Sequence, residues 1–253
     1  MRGPKRDRVR LDALLVSRGL APDLDRAGAL VLSGNVVVGE SRVDKAGALV
    51  ATDAPVRVRG RGHAYVSRGA LKLLQALDHF GVAVSGRTCL DLGASTGGFT
   101  QVLLERGALR VYAVDVGTDQ LAWSLRQEQR VVSLERTHAR ELGPDRVPEL
   151  IDLLVADVSF ISLRQALPPV FPLLAPGADL VVLVKPQFEA RAEEVEPGGL
   201  VRDAAVHART CAEVAGALRA AGFVVQPPVA CETKGATGNQ EYLLAARGPE
   251  VPS

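Results

Sequence analysis

Lysine is scarce in this 253-residue chain, five residues against twenty-five arginines. A chain that writes arginine almost everywhere keeps lysine where a guanidinium cannot serve. Arginine stays protonated, whereas a desolvated lysine, or one close to another cation, can release its proton. Lys185 directly follows the apolar run Leu180–Val184 and precedes Pro186, and Asp157 follows the apolar run Ile151–Ala156. Both positions read as the carboxyl ends of strands, where open α/β sheets bind their ligands. Lys72 falls in a stretch of helical periodicity, and Glu241 opens the last apolar run after the Gly235–Gly238 loop. Taken singly, each reads as an ordinary surface ion pair.

A second cluster is the turn Asp91-Leu92-Gly93-Ala94-Ser95-Thr96-Gly97-Gly98-Phe99, which follows an apolar strand and opens a helix. Its glycines let the backbone turn tightly and approach a ligand with no Cβ in the way. The spacing is G-x-x-x-G-G rather than the G-x-G-x-x-G that cradles a dinucleotide pyrophosphate. Asp115, followed by Val116, ends the next strand about 20 residues later, where a carboxylate can accept hydrogen bonds from ribose hydroxyls. A glycine turn lacking a phosphate cradle, together with this acid, favours S-adenosylmethionine over NAD, with Asp157 on the same wall. The competing reading is a tight turn with no ligand.

These side chains must be positioned by a regular alternation of elements. The pattern predicts strands at Thr88–Leu92, Arg110–Asp115, Val131–Leu134, Ile151–Ala156, Ala178–Val184, Phe223–Val229 and Glu241–Ala246. Helices are expected at Gly69–Phe80, Gly98–Arg106, Asp119–Gln127 and Ala204–Ala221. Such alternation means an α/β fold, a Rossmann-like, doubly wound parallel sheet. The preceding segment differs. Leu11, Leu14 and Leu15 lie at helical spacing with Gly19 as a stop, and Asp23 is a fitting N-cap for a helix through Leu24, Ala27, Leu30 and Val31 that ends at Gly34. Val36–Glu40 reads as a strand and turn and Val56–Arg59 as a strand, so the head is a small α+β domain. The expected boundaries are 1–60 for the head, 61–67 for a linker beginning in Gly60-Arg61-Gly62, and 68–253 for the α/β domain.

Charge separates the two parts. Residues 1–62 carry twelve Lys/Arg and seven Asp/Glu, whereas residues 73–253 sum to −6. A basic head on a mildly acidic body is suited to a polyanion, for which Arg8, Arg10, Arg18, Arg26, Arg68 and Arg136 are the candidate contacts. The longest apolar stretches fall far short of the ~20 residues of a membrane helix, and no apolar run follows the N-terminal charges. Three scattered cysteines argue against a disulfide scaffold, and a reducing cytoplasmic compartment fits them. Four dispersed histidines suggest no metal site. Trp123 and Tyr112 read as core or pocket wall, and Ser159 and Ser162 as structural.

Five motifs occur in order: Ser67-Arg68-Gly69-Ala70-Leu71-Lys72-Leu73, the Asp91–Phe99 turn, Ala156-Asp157-Val158-Ser159-Phe160-Ile161-Ser162, Val184-Lys185-Pro186-Gln187-Phe188-Glu189, and Gly238-Asn239-Gln240-Glu241-Tyr242. With these the chain closely resembles the TlyA family of haemolysin A-like rRNA methyltransferases, over roughly residues 8–247. The resemblance implies an S-four-like RNA-binding head and an FtsJ-like, S-adenosylmethionine-dependent methyltransferase domain. It departs from the head's pattern at Asp25-Arg26, where that domain usually has Ser-Arg. It further implies 2′-O-methylation of cytidine in ribosomal RNA of the small subunit, with the large subunit as a second candidate. The family's Lys-Asp-Lys-Glu tetrad falls on Lys72, Asp157, Lys185 and Glu241. Lys185 is then either the group that accepts the hydroxyl proton or a protonated group that stabilises the developing alkoxide. Two other classes stand beside this one, a membrane-active haemolysin and an RNA-binding protein without catalysis. The absence of a signal or span argues against the first, and the complete tetrad against the second.

Overall fold

The computed structural model describes residues 8–21, 23–39, 41–58, 65–235 and 237–250. The chain folds as two compact units, residues 1–67 with Ala122–Ser124, and residues 68–121 with 125–253. The expected linker at 61–67 falls largely outside the described residues, as do Glu40 and Arg59 at the ends of two expected strands.

The head unit consists of β1 (Arg8–Arg10), α1 (Leu11–Ser17), α2 (Leu24–Leu32), β2 (Val36–Val38), β3 (Ser41–Arg42), β4 (Leu49–Ala51) and β5 (Val56–Val58). β1 pairs with β4, and β3, β2 and β5 form a second antiparallel ladder. Leu11, Leu14 and Leu15 of α1 pack with Ala27, Leu30 and Val31 of α2 and with Val36 and Val50. Asp23 caps α2 by accepting from the Arg26 N–H at 2.7 Å, and Gly19 and Gly34 follow the two helices with positive φ, as their positions predict. β1, β3 and β4, two or three residues each, are too short to announce themselves by alternation.

After the head the chain runs α3 (Gly69–Phe80), β6 (Thr88–Leu92), α4 (Gly98–Glu105), β7 (Arg110–Val114), α5 (Trp123–Arg126), β8 (Val131–Leu134) and β9 (Ile151–Ala156). It continues through α6 (Leu163–Ala166), β10 (Leu174–Val184), α7 (Pro186–Glu189), α8 (Ala204–Ala220), β11 (Val224–Val225), β12 (Val229–Ala230) and β13 (Tyr242–Arg247). The sheet order is β11-β13-β10-β9-β6-β7-β8, with β12 also on β13. Leu90, Leu92, Tyr112, Val114, Leu154, Leu180, Val182 and Leu244 point to the face covered by α6 and α8. The alternate residues, among them Cys89, Leu153, Val181 and Leu243, are equally buried and face the other side. Burial on both faces explains why these strands read as continuous apolar runs.

Three expectations are corrected. The sheet is parallel only from β10 to β8, because β13 runs antiparallel to β10, β11 and β12. The last segment returns through a loop, and without a crossover helix an antiparallel neighbour is the available pairing. The expected strand Phe223–Val229 is split into β11 and β12 at Pro227-Pro228, which offer no N–H to a ladder. The expected helix Asp119–Gln127 shrinks to α5. Asp119 is left-handed at φ +54, and the N–H groups of Asp119, Gln120 and Leu121 donate to the Glu135 carboxylate instead of continuing a helix.

Candidate active site

Four charged side chains meet as two ion pairs at the carboxyl edge of the central strands. Lys185 follows β10, and its Nζ lies 2.6 Å from Oδ1 of Asp157, the residue after β9. That contact is not aligned as a hydrogen bond, and Nζ donates to Ser159 Oγ at 2.8 Å. Lys72 on α3 donates from Nζ to Glu241 Oε2 at 2.5 Å, with side chains 9% and 4% exposed. The register explains the meeting. Val184 of β10 faces Tyr242 of β13, so Lys185 and Glu241 each stand one residue beyond that pair. β9 lies on the other side of β10, with Ala156 opposite Val182, and presents Asp157 from there. α3 packs on β13 and β10 and delivers Lys72.

Two charges taken out of water persist only as partners. The local chain is built for this pairing. A Cβ at Gly235 would lie 2.4 Å from Glu241 Oε1, so glycine leaves the carboxylate its room. Gln75, one turn beyond Lys72, donates to the Ala230 carbonyl and accepts from the Glu232 N–H, both at 3.0 Å, which fastens α3 to the segment beside Glu241.

Next to these pairs opens a cavity of about 360 Å³, within the range of small-molecule sites. Gly93 and Ser95 of the glycine turn, Asp115, Val116 and Asp157 line it, as expected of cofactor residues. Ala94, Gly97, Gly98 and Phe99 are buried behind this wall, Thr96 is half-buried, and none of them reaches the lining. Gly93 has φ +86, and a Cβ there would lie 2.7 Å from the Asp157 carbonyl oxygen. Asp115 braces the turn, accepting from the N–H groups of Ser95 and Gly117 at 2.7 Å each. Asp91 is fully buried beneath it, with Oδ2 accepting from Thr100 Oγ1 at 2.6 Å and Oδ1 unpaired. Burial raises its carboxyl to about 7 against the Thr100 hydrogen bond, and the nearby Asp157 and Asp115 push it the same way. Such a concentration of carboxylates suits a ligand carrying positive charge and ribose hydroxyls, and repels a pyrophosphate.

Cys89, Cys211 and Cys231 are free and buried, and burial pushes their thiols up to about 12, 11 and 12, so none is a thiolate nucleophile. Among the described residues no group of His, Cys, Asp and Glu could hold a metal ion, and no helix is long and apolar enough to cross a membrane.

The arginine candidates differ in their engagements. Arg8, Arg68 and Arg136 are exposed, Arg136 with φ +51. Arg10 forks onto Asp12 at 3.0 and 2.6 Å, Arg18 donates to the Ala54 and Thr52 carbonyls, and Arg26 donates to the Tyr65 carbonyl. Trp123 is corrected: it is 62% exposed rather than core or pocket wall, whereas Tyr112 is core. Ser159, read from the sequence as structural, accepts a hydrogen bond from Lys185. Three further residues were not singled out by sequence. Phe160 is 92% exposed on the cavity lining with φ +63, a conformation rare for a bulky residue. Gln120 and His138 also line the cavity. They come from loops that carry no spacing signal.

The model of the FtsJ-like methyltransferase family matches residues 65–248. The chain belongs to the FtsJ-like methyltransferase family. The 16S/23S rRNA (cytidine-2′-O)-methyltransferase TlyA of Mycobacterium tuberculosis is 48% identical over 95% of this FtsJ-like chain and 90% of its own length. A solved Streptococcus thermophilus structure, provisionally named a hemolysin, is 39% identical, with TM-score 0.75 over 98% of this chain and 91% of that one. The N-methyltransferase NodS of Bradyrhizobium japonicum with S-adenosyl-L-homocysteine shares the fold at TM-score 0.52 and 22% identity, over 72% of this chain and 87% of that one. The family resemblance and the methyltransferase fold read from the motifs are thereby borne out.

The buried Asp91 gives a pH-dependent test. Its folded value, about 7, stands above the ordinary 3.8, so the protonated carboxyl contributes stability fully below about pH 4, and that contribution is lost as pH rises through about 7. Asp91→Asn keeps the shape and stays neutral. Its Tm relative to wild type, measured without added ligand, should rise from about pH 5 to about pH 7 and level off above that. A difference that is flat or falls over this interval contradicts the assignment.

Proposed function

We infer that this methyltransferase transfers the methyl group of S-adenosylmethionine to the 2′-oxygen of cytidine ribose in ribosomal RNA. The observation that carries the reading is the pairing of Lys185 with Asp157 and Ser159, and of Lys72 with Glu241, beside an acid-lined cavity. When bound, S-adenosylmethionine supplies a methyl group on a positively charged sulfur, which the ribose oxygen takes by in-line displacement. Gly93 and Ser95 would admit it to the wall of the turn, Asp115 would accept from ribose hydroxyls, and Asp157 would face its positive charge. The cytidine and the ribosomal RNA follow the activity for which the Mycobacterium relative is named, and that relative matches nearly the whole chain.

The chain's own groups then handle one hydroxyl proton and the developing negative charge on oxygen. Lys185 Nζ is held by the charge of Asp157 at 2.6 Å and by its hydrogen bond to Ser159, which leaves it hydrogen-bonding capacity for a ribose hydroxyl. Fixing the attacking oxygen against one nitrogen supplies orientation as well as charge stabilisation. Lys72 and Glu241, buried against each other, hold α3 and β13 in the arrangement that keeps Lys185 in place. The basic head, residues 1–60, serves as the RNA-binding domain, joined by 61–67 to the methyltransferase domain, residues 68–253. Arg8, Arg68 and Arg136 present exposed guanidinium groups to phosphate, and Arg10, Arg18 and Arg26 order the head. Ribosomes as substrate imply a cytoplasmic enzyme. A haemolysin is the weaker reading, because a methyl-transfer site gives such an activity no role.

Three substitutions at two residues test the reading. Gly93→Ala places a methyl group against the Asp157 carbonyl in a left-handed backbone, and should lower affinity for S-adenosylmethionine about tenfold or more, measured by calorimetry. Wild-type affinity in this variant contradicts the turn as the cofactor wall. Lys185→Ala should lower methyl transfer about 10²-fold or more, the scale of acid–base groups, while affinity for S-adenosylmethionine changes little. Lys185→Arg should be equally impaired if the nitrogen accepts the proton. An active Arg variant leaves the residue an electrostatic role only.

A further inference from the structure

Segment 185–189 touches loop 157–164 at several successive points. At its start, Lys185 reaches Asp157 at 2.6 Å and Ser159 Oγ at 2.8 Å. In the middle, the Phe188 ring lies 5.2 Å from the Phe160 ring at a tilt of 48°. At its end, the Glu189 carboxylate, 2% exposed, accepts from Ser162 Oγ at 2.5 Å, from the Leu163 N–H at 2.7 Å and from Arg164 Nε at 3.3 Å. The Arg164 guanidinium also donates to the Glu189 carbonyl oxygen at 3.3 Å. Between the two grips stands Phe160, left-handed at φ +63 and nine-tenths exposed. A bulky residue keeps such a conformation only where its surroundings impose it. Aromatic contact with Phe188 covers little of the Phe160 ring, so the imposition comes from the polar anchors at either end.

We propose that Glu189 is a positioning residue, which together with Lys185 clamps the two ends of the Asp157–Ser162 loop and so fixes Ser159 and the left-handed Phe160 on the cavity wall. The clamp has a simple economy of parts. Lys185 and Glu189 are four residues apart on one segment, and Ser159 and Leu163 four apart on the other, so a shift of either segment loosens both grips. Val158, Ser159, Phe160 and Ile161 all line the cavity, and the conformation of this loop is therefore part of the site's geometry. Glu189 reaches the reacting groups only through the loop and through Ser159. A plain role in capping α6 is the competing explanation, since Ser162 caps that helix and Leu163 opens it. The two accounts separate at residue 160. A cap stabilises α6 whatever residue 160 is, whereas a clamp matters most while a side chain there resists the left-handed conformation.

The inference rests on the methyl-transfer reading for its kinetic arm and is independent of it for its exchange arm. Glu189→Gln, which keeps the volume, and Glu189→Ala are placed in full-length wild type and in Phe160→Gly. Amide hydrogen exchange over 157–163 and over strand β6 is followed by mass spectrometry, and kcat and KM for methyl transfer to ribosomal subunits are measured. In the wild-type background, Glu189→Gln should speed exchange over 157–163 about tenfold, leave β6 unchanged, and lower kcat about tenfold with a smaller change in KM. In the Phe160→Gly background the same substitution should lower kcat less than about threefold, because glycine adopts the left-handed conformation without being held. Unchanged exchange over 157–163, or equal losses of kcat in the two backgrounds, overturns the proposal. If the wild type transfers no methyl group to ribosomal subunits, the methyl-transfer reading fails, and the exchange pattern alone decides the clamp.

Discussion

The site depends on charged groups taken out of water beside one another. Lys72 and Glu241 are nearly inaccessible, and each would be a heavy liability alone. Their contact therefore demands that α3 lie where it does on β13 and β10, that residue 235 lack a side chain, and that the strand register hold to one residue. A one-residue slip of β13 would put Tyr242 where Glu241 stands and leave Lys72 without its partner. Because both faces of the last strand are apolar and buried, it is the polar pair at its start that marks the register. Lys185 and Asp157, less buried, inherit their places from it.

The same edge gathers an excess of negative charge around the glycine turn. Asp115 spends two of its lone pairs on backbone N–H groups and so organises the loop on either side of the cavity. Asp91 lies deeper, with one oxygen unpaired. On the proposed reading, the acids of the cavity wall would face positive charge on a bound ligand, and Lys185, paired with Asp157 of that wall, the negative charge that develops on an attacking oxygen.

Much of this was legible in the residues. α3 and β6 have the expected bounds, since long apolar runs between clear stops leave little freedom. The four tetrad positions stood out because lysine is rare and strand ends are where ligands bind. Other features left no mark on the sequence. The antiparallel β13 follows a loop whose path cannot be read from periodicity. The broken helix near Asp119 depends on Glu135, sixteen residues further on, offering its oxygens to three backbone N–H groups. Ser159 and Glu189 look structural by type and spacing. Their importance comes only from the proximity of two segments joined across the sheet edge. The positive φ of Phe160 is likewise a product of tertiary anchoring, since the residue type itself opposes it.

The central claim is that this edge methylates a ribose oxygen of ribosomal RNA. It is tested most directly by incubating the full-length protein with radiolabelled S-adenosylmethionine and purified small and large ribosomal subunits, then digesting the RNA with alkali. A 2′-O-methyl group blocks cleavage of the adjacent phosphodiester, so the account predicts label in an alkali-resistant dinucleotide whose first ribose belongs to cytidine. Label that is released entirely in mononucleotides would place the methyl group on a base. That result, or no label on either subunit from protein that binds S-adenosylmethionine, would contradict the account.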